Sequence, residues 1–408
     1  MPTKHPYSFG IEEEYFIVSR KSGNIKAELP AAFMKQAGKK LGEQLMHEIL
    51  QSQVEVATRP AVDAEDAANE LRTFRTTLAD VGQQHGIGII AAGTHPLAMP
   101  HQQKMTRKRR YKKVIDDLGM VGLGNALCGL HVHVEVPEPD HRVQIMHRMV
   151  PFLPLLLALS TSSPFWAGCE TGLLGYRNAA NDALPRTGFP EMFQSAKEYE
   201  AYIAALVEPK IIPDSTYVWW ALRPCLHHPT LELRITDCCT SIDDAVAIAS
   251  LYRALVRRLV RDRGLNREFS AVTRALSEEN RWRAQRYGTE GTYIDVATRE
   301  AKPFKTVLEE TITLIADDID ALRIAPQIEH LRAIQKRGTS AHLQLELYRS
   351  LLKCGRRHRQ ALLDVAKWLR VSTEAGEFAV QDSNGPGIAP ALPQARTKSQ
   401  ERADAPAV

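Results

Sequence analysis

The chain has 408 residues, of which 44% are hydrophobic and 25% charged, with a formal net charge of +4. That is enough apolar material for a large buried core, and the charge singles out neither nucleic acid nor a membrane surface as a partner. The six cysteines, Cys128, Cys169, Cys225, Cys238, Cys239 and Cys354, form no C-x-x-C pair, so neither a zinc ribbon nor a thioredoxin-type motif is supported.

The opening residues, Met1 to Gly10, are polar and contain two prolines, unlike a secretory leader. Phe9 to Ser19 reads as a strand in which acids alternate with β-branched and aromatic residues. Gln51 to Ala57 reads as a second strand. A helix follows, with Asp63 as N-cap, Leu71, Phe74, Leu78 and Val81 at helical spacing, and Gly86 at its stop. Ile87 to Ala92 is a short buried strand. Leu127 to Val136 alternates and stops at Pro137.

Val150 to Trp166 is the most apolar stretch, but Pro151, Pro154 and Pro164 interrupt it. A buried helix is predicted there, not a membrane span. Tyr217 to Leu222 and Thr230 to Ile235 read as a hairpin around Leu226-His227-His228-Pro229. A capping box from Ser241 to Asp244 opens the next helix. Residues 303–325 and 340–371 also have helical period. Strands mixed with helices, without strict βαβ alternation, predict an α+β fold. Residues 1–372 form one expected domain. Residues 373–408 are rich in Gly, Pro, Ala, Ser and charge, and are expected to be a disordered tail.

Four strands carry polar residues two apart: Glu12 and Glu14, Gln53 and Glu55, His131 and His133, Glu232 and Arg234. Residues at i and i+2 share one face of a strand. Alone, Glu12 and Glu14 read as a solvated face and Glu232 with Arg234 as a surface ion pair, while His131 and His133 read equally as ligands or as structural residues. Together, side by side, they would form a face too charged to be a dry core. Carboxylates with a single imidazole suit Mg²⁺ or Mn²⁺ better than Zn²⁺. The combination points to a metal–nucleotide site on a sheet. Glu13 lies between the matched acids, and the spacing alone does not choose which of Glu48, Gln51 and Gln53 joins Glu55.

Phe9-Gly10-Ile11-Glu12-Glu13-Glu14, Gln53 through Thr58, and Cys128-Gly129-Leu130-His131-Val132-His133-Val134 match motifs of one family. So do Thr171-Gly172 with Tyr176-Arg177 and Leu184 to Gly188, in its central loop, and Trp219-Trp220, Arg223-Pro224, Thr230 to Arg234 and Asp237. In these the chain resembles the carboxylate–amine ligases, also called glutamate–cysteine ligase type 2, of the glutamine-synthetase-like superfamily. The match runs over residues 7–370.

The resemblance implies a curved antiparallel sheet with helices on one side, ATP, and two Mg²⁺ or Mn²⁺ ions. It implies Glu12, Glu14, Glu55, His131 and Glu232 as metal ligands and His133 beside the nucleotide phosphates. It also implies Arg234 at the transferring phosphoryl group and Arg177 on a substrate carboxylate or phosphate. The implied activity joins the γ-carboxylate of glutamate to an amine, with release of ADP and phosphate.

A cytoplasmic setting and a homodimer are expectations; no nucleic-acid or membrane partner is expected. Lys104 to Lys113 holds seven basic residues in ten, which reads as a solvated face. Two other functions compete. One is a metal-dependent hydrolase of γ-glutamyl or related amides, using H-x-H with Asp237 and His227 or His228. The other is a non-catalytic binding protein. Asn280-Arg281-Trp282-Arg283 has no assigned role.

Overall fold

Phe9–Ser19 forms an eleven-residue strand, β1, in the computed structural model, which describes residues 7–379 apart from 194 and 269. Its alternation sets the architecture. Phe9, Ile11, Glu13, Tyr15 and Ile17 are buried on one side, whereas Glu12 and Glu14 are partly open on the other.

The other strands of the main sheet are β2 (Leu45–His47), β3 (Gln53–Ala57), β4 (Ile87–Ile90), β5 (Leu130–Glu135), β6 (Leu222–Pro224) and β7 (Thr230–Leu233). Their order is β2-β3-β1-β5-β7-β6, and every pairing is antiparallel. β5 pairs with Phe9 to Glu13 and β4 with Phe16 to Ser19, so both lie along one edge of β1.

The helices that cover the sheet or frame the site are α1 (Ala64–Gln84), α2 (Arg109–Leu118), α3 (Leu153–Ser160), α4 (Tyr176–Asn181), α5 (Ile242–Arg261), α6 (Ala271–Tyr287), α7 (Ala325–Arg337) and α8 (His358–Ala375). α1 and α8 pack against β4, α5 against β5, and α7 against α5. The helices therefore cover one face of an antiparallel sheet, as expected. Asp63 caps α1 by accepting from Glu65 N at 2.9 Å, and Gly86 takes a positive φ of 63° after it.

Some local expectations change. The first hairpin strand starts at Leu222, not Tyr217. Upstream of it, Ser215–Tyr217 is a 3₁₀ turn, and Trp219 and Ala221 donate their N–H groups to the carbonyls of Arg186 and Gly188 rather than to a sheet. Ser241 is the N-cap of α5 but makes no side-chain cap bond. Asp244 is instead taken by α7, with His330 Nε2 at 2.7 Å and Arg337 Nη2 at 2.8 Å. The helical stretch expected over 340–371 divides at Gly355 into Ser340–Lys353 and α8.

Among the described residues one stretch, Pro139–Ser160, is long and apolar enough to cross a membrane, and it is 78% buried inside the protein. Order extends past the predicted boundary at residue 372. α8 runs to Ala375, Phe378 stacks on Trp368 at 5.8 Å, and Trp368 Nε1 donates to Ala379 O. Aromatic stacking holds this segment, a contact that composition does not reveal. The remainder of the expected tail, 380–408, lies outside the described residues.

On the helix-covered face, Glu13 is fully buried. It forms a two-point ion pair with Arg75 of α1, at 2.6 and 3.0 Å, and accepts from Tyr15. Arg75 also donates to the carbonyls of Thr240 and Cys239. Removing one partner of such a pair strands a buried charge. Arg75→Met is expected to destabilise the fold by about 3–5 kcal/mol. Adding Glu13→Gln should recover much of that loss, as read by urea denaturation of both variants.

Candidate metal and substrate site

The strand register carries the acids of the open face into rows. Glu14 stands opposite Glu55 across β1–β3. Glu12 stands opposite His131 across β1–β5, and His133 opposite Glu232 across β5–β7. Arg223 is the next partner of Glu232. Directly paired residues share a face, so the sequence-predicted groups converge on one surface. It is the floor of a cavity of about 400 Å³, lined also by Arg177 and Arg234.

Within that floor lie two clusters, Glu12–His131–Glu232 and Glu14–Glu48–Glu55, with the potential ligand atoms of each within 4.8 Å of one another. His131 Nδ1 is 3.4 Å from Glu12, and its Nε2 is 3.9 Å from Glu14, so the imidazole stands between the clusters. His133 Nε2 is 3.2 Å from Glu12. The Glu232 carboxylate is held by Arg223, at 2.7 Å through Nε, and by Arg234.

The residue that the sequence left open is Glu48. It directly follows β2 in irregular chain, outside any strand, so no two-residue period could single it out. Gln51 instead donates to Met105 O, and Gln53 to Leu127 O. Glu13 is absent from the cavity because it faces the helices. Arg177, matched to a loop motif, stands on the first turn of α4. Its guanidinium donates to Arg234 O and lies 3.9 Å from the buried Asp237. Asp237 is itself held by Ser162 N and Ser163 Oγ. Gly129 explains the glycine of the C-G-x-H motif. Its N–H donates to Glu14 Oε2 at 2.5 Å. A Cβ there would collide with the Arg177 guanidinium and His131 Nε2.

Charge is unevenly balanced across the floor. Burial, then the charge of Glu12 and a bond with Glu48, push the Glu55 carboxyl well up. Burial and the charge of Glu48 push Glu14 to about 7. Burial opposes ionisation of Glu12 and Glu232 too. Nevertheless, His131 and His133 hold Glu12 well below the usual carboxylate range, and Arg234 and Arg223 hold Glu232 below it as well. Burial and the charge of Arg234 depress His131 to about 4. Burial alone would lower His133, but its bonds to Cys225 and Glu12 hold it at about 10.

The Glu14–Glu48–Glu55 cluster is thus short of positive charge. His131 is neutral, with its buried Nε2 lacking a hydrogen-bond partner. A donor set of five carboxylates and one neutral imidazole fits hard divalent cations such as Mg²⁺ or Mn²⁺.

The repulsion has a measurable sign. A carboxyl whose folded pKa exceeds its unfolded value of about 4.3 weakens the fold as pH rises between the two. For Glu14 that window ends near 7. In metal-free buffer at pH 8, Glu14→Gln is expected to raise stability by about 2–3 kcal/mol, and by far less at pH 4. Urea titrations of both proteins at the two pH values check this.

The family model described as Glutamate-cysteine ligase family 2 matches residues 8–368. A protein of Bradyrhizobium diazoefficiens provisionally named glutamate–cysteine ligase 2 is 45% identical over 378 residues, covering 92% of this chain and 86% of its own. One of the same provisional name from Bradyrhizobium sp. strain ORS 278 is 48% identical over 345 residues, covering 84% of each chain.

Among solved structures, a glutamate–cysteine ligase from Francisella tularensis in complex with AMP superposes with a TM-score of 0.65 at 14% identity, covering 91% of this chain and 90% of that one. A bifunctional glutathione synthetase from Pasteurella multocida gives 0.65 at 13% identity, covering 90% of this chain and 53% of that one, so this chain spans about half its length. These likenesses concern the fold, which is glutamine-synthetase-like. With nearly its whole length matched by the family model and close to half its residues shared with such relatives, the chain belongs to glutamate–cysteine ligase family 2.

Proposed function

We propose that the protein is an ATP-dependent ligase that joins the γ-carboxylate of glutamate to an amine through an acyl phosphate. The observation that carries this reading is the pair of acid clusters side by side on one cavity floor, with Arg234 and Arg177 at their edge. Glu12, His131 and Glu232 would hold one Mg²⁺ or Mn²⁺, and Glu14, Glu48 and Glu55 the other. When bound, the two ions would neutralise the charge of the triphosphate and of the phosphoryl group in flight.

A carboxylate resists amine attack because oxide is a very poor leaving group. In the proposed first step a γ-carboxylate oxygen attacks the γ-phosphorus, the bridging P–O bond breaks, and ADP departs. In the second, the amine nitrogen attacks the acyl carbon, the C–O bond to phosphate breaks, and the nitrogen loses a proton.

Arg234, fixed by Glu232 and pointing along His131, is placed to stabilise charge on the transferring group. His133 is cationic at neutral pH and is suited to donate to a phosphate oxygen. Arg177 would hold a substrate carboxylate or phosphate at the rim of the clusters.

The relatives named as glutamate–cysteine ligases support this reaction class. ATP supply places the reaction in the cytoplasm, where the six free cysteines stay reduced. The hydrolase alternative has no observation in its favour. Asp237, which it would recruit, is buried and held by Ser162 and Ser163.

With glutamate and an amine panel in Mg²⁺, ADP and phosphate are expected to appear in step with amide. AMP as nucleotide product would sink the mechanism. Glu48→Gln is expected to weaken Mn²⁺ binding by about tenfold or more, equivalent to about 1.4 kcal/mol, as read by paramagnetic titration. Unchanged binding would remove Glu48 from the site.

A further inference from the structure

The cavity has a second polar end that metal and phosphate chemistry do not use. α4 forms one wall of it. Arg177, on the first turn, reaches the clusters, while Asn181 and Asp182 line the same cavity at the other end of the helix. Asp182 follows Arg177 by five residues, about 7.5 Å of helical rise.

Asp182 accepts both its ionic bonds from Nη2 of Arg281 on α6. Arg281 is only 8% exposed, lies over the Phe189 ring and donates to Glu278 at 3.2 Å. Its Nε is buried without a hydrogen-bond partner. The neighbouring Asn280 is bonded in both directions to the backbone of Ile294, at 2.7 Å each, which fixes α6 at this point. This gives the Asn280-Arg281 stretch of the sequence a physical task.

Building on the ligase reading, we infer that Asp182 and Arg281 form a clamp for the head group of an α-amino-acid donor. Asp182 takes the α-ammonium, Arg281 takes the α-carboxylate, and the side-chain carboxylate extends along α4 to Arg177 and the acid clusters. Opposite charges side by side in a cavity wall complement a zwitterion. A substrate lacking one charge leaves one member of the clamp unmatched.

The length also agrees. Four single bonds separate the two carboxyl carbons of glutamate, about 5 Å when extended, and each end adds a hydrogen bond of about 3 Å. That reach covers the 7.5 Å of helix between the two ends. In the free protein Asp182 and Arg281 satisfy each other, so the substrate exchanges into an ion pair already aligned.

The test compares three acids: glutamate, glutarate, which lacks the amino group, and 4-aminobutyrate, which lacks the α-carboxylate. Phosphate release in Mg²⁺-ATP with one fixed amine gives kcat/KM for each. The native protein is expected to prefer glutamate over both analogues by about 10- to 100-fold. Asp182→Asn should erase the preference over glutarate and keep that over 4-aminobutyrate. Arg281→Gln should do the reverse.

Equal losses with all three acids, or unchanged preferences, would overturn the clamp. Asp182 is partly exposed, so its variant keeps the test alive if Arg281→Gln fails to fold. Calorimetric binding of the same acids reads the clamp without turnover, and equal affinity of the native protein for all three would overturn it. Selective binding with no phosphate release from any acid would instead leave the clamp standing and defeat the ligase reading.

Discussion

Five carboxylates crowded on one face of a sheet form the constraint on which this molecule turns. Burial and mutual repulsion make that arrangement unfavourable in an empty apolar setting. It persists because each acid is anchored by backbone geometry that serves another purpose. Glu12, Glu14 and Glu55 belong to central strands whose opposite faces carry Ile11, Tyr15 and Val54, all fully or nearly fully buried. The hydrophobic packing of one face thus supplies the rigidity that holds like charges together on the other. His133 and the arginines of the hairpin compensate one cluster and leave the other short of positive charge.

The division of charge gives the two clusters different characters. Around Glu232 the acids are paired with Arg223 and Arg234, and their carboxylates are ionised throughout the physiological range. Around Glu55, burial and neighbouring acids push the carboxyls of Glu55 and Glu14 up. Were cations to bind as proposed, binding at the second cluster would release protons and depend on pH, whereas the first is charged beforehand. An asymmetric pair of this kind lets one position be set before the other fills.

Much of this was legible in the sequence because a strand repeats every two residues, and the repeat survives in bare text. Glu12, Glu14, Glu55, His131, His133 and Glu232 were all found that way, and the apolar residues between them located the helix-covered face. Glu48 was left as one of three candidates, since it reaches the cluster from irregular chain after β2, and only the folding of β2 onto β3 brings it near. Asp182 and Arg281 lie 99 residues apart in the chain, and no local period links them. Asp244 read as a capping residue because its spacing from Ser241 fits one. A buried position facing His330 and Arg337 of α7 prevailed over that local option. The stacking of Phe378 on Trp368 was hidden for the same reason, as tertiary contact overrode a composition typical of loose chain.

Three successive acids in β1 do more than line the cavity floor. Glu13 meets Arg75 in the native alignment, and its neighbours Glu12 and Glu14 would bring a carboxylate to the same guanidinium if the strand shifted by one residue either way. That shift would, however, turn Ile11, Tyr15 and Ile17 out of the helix-covered face and onto the open one. The apolar side chains, rather than the hidden ion pair, therefore act as the error check on assembly. A chain that folds out of step is penalised on its greasy side long before any metal could report the mistake.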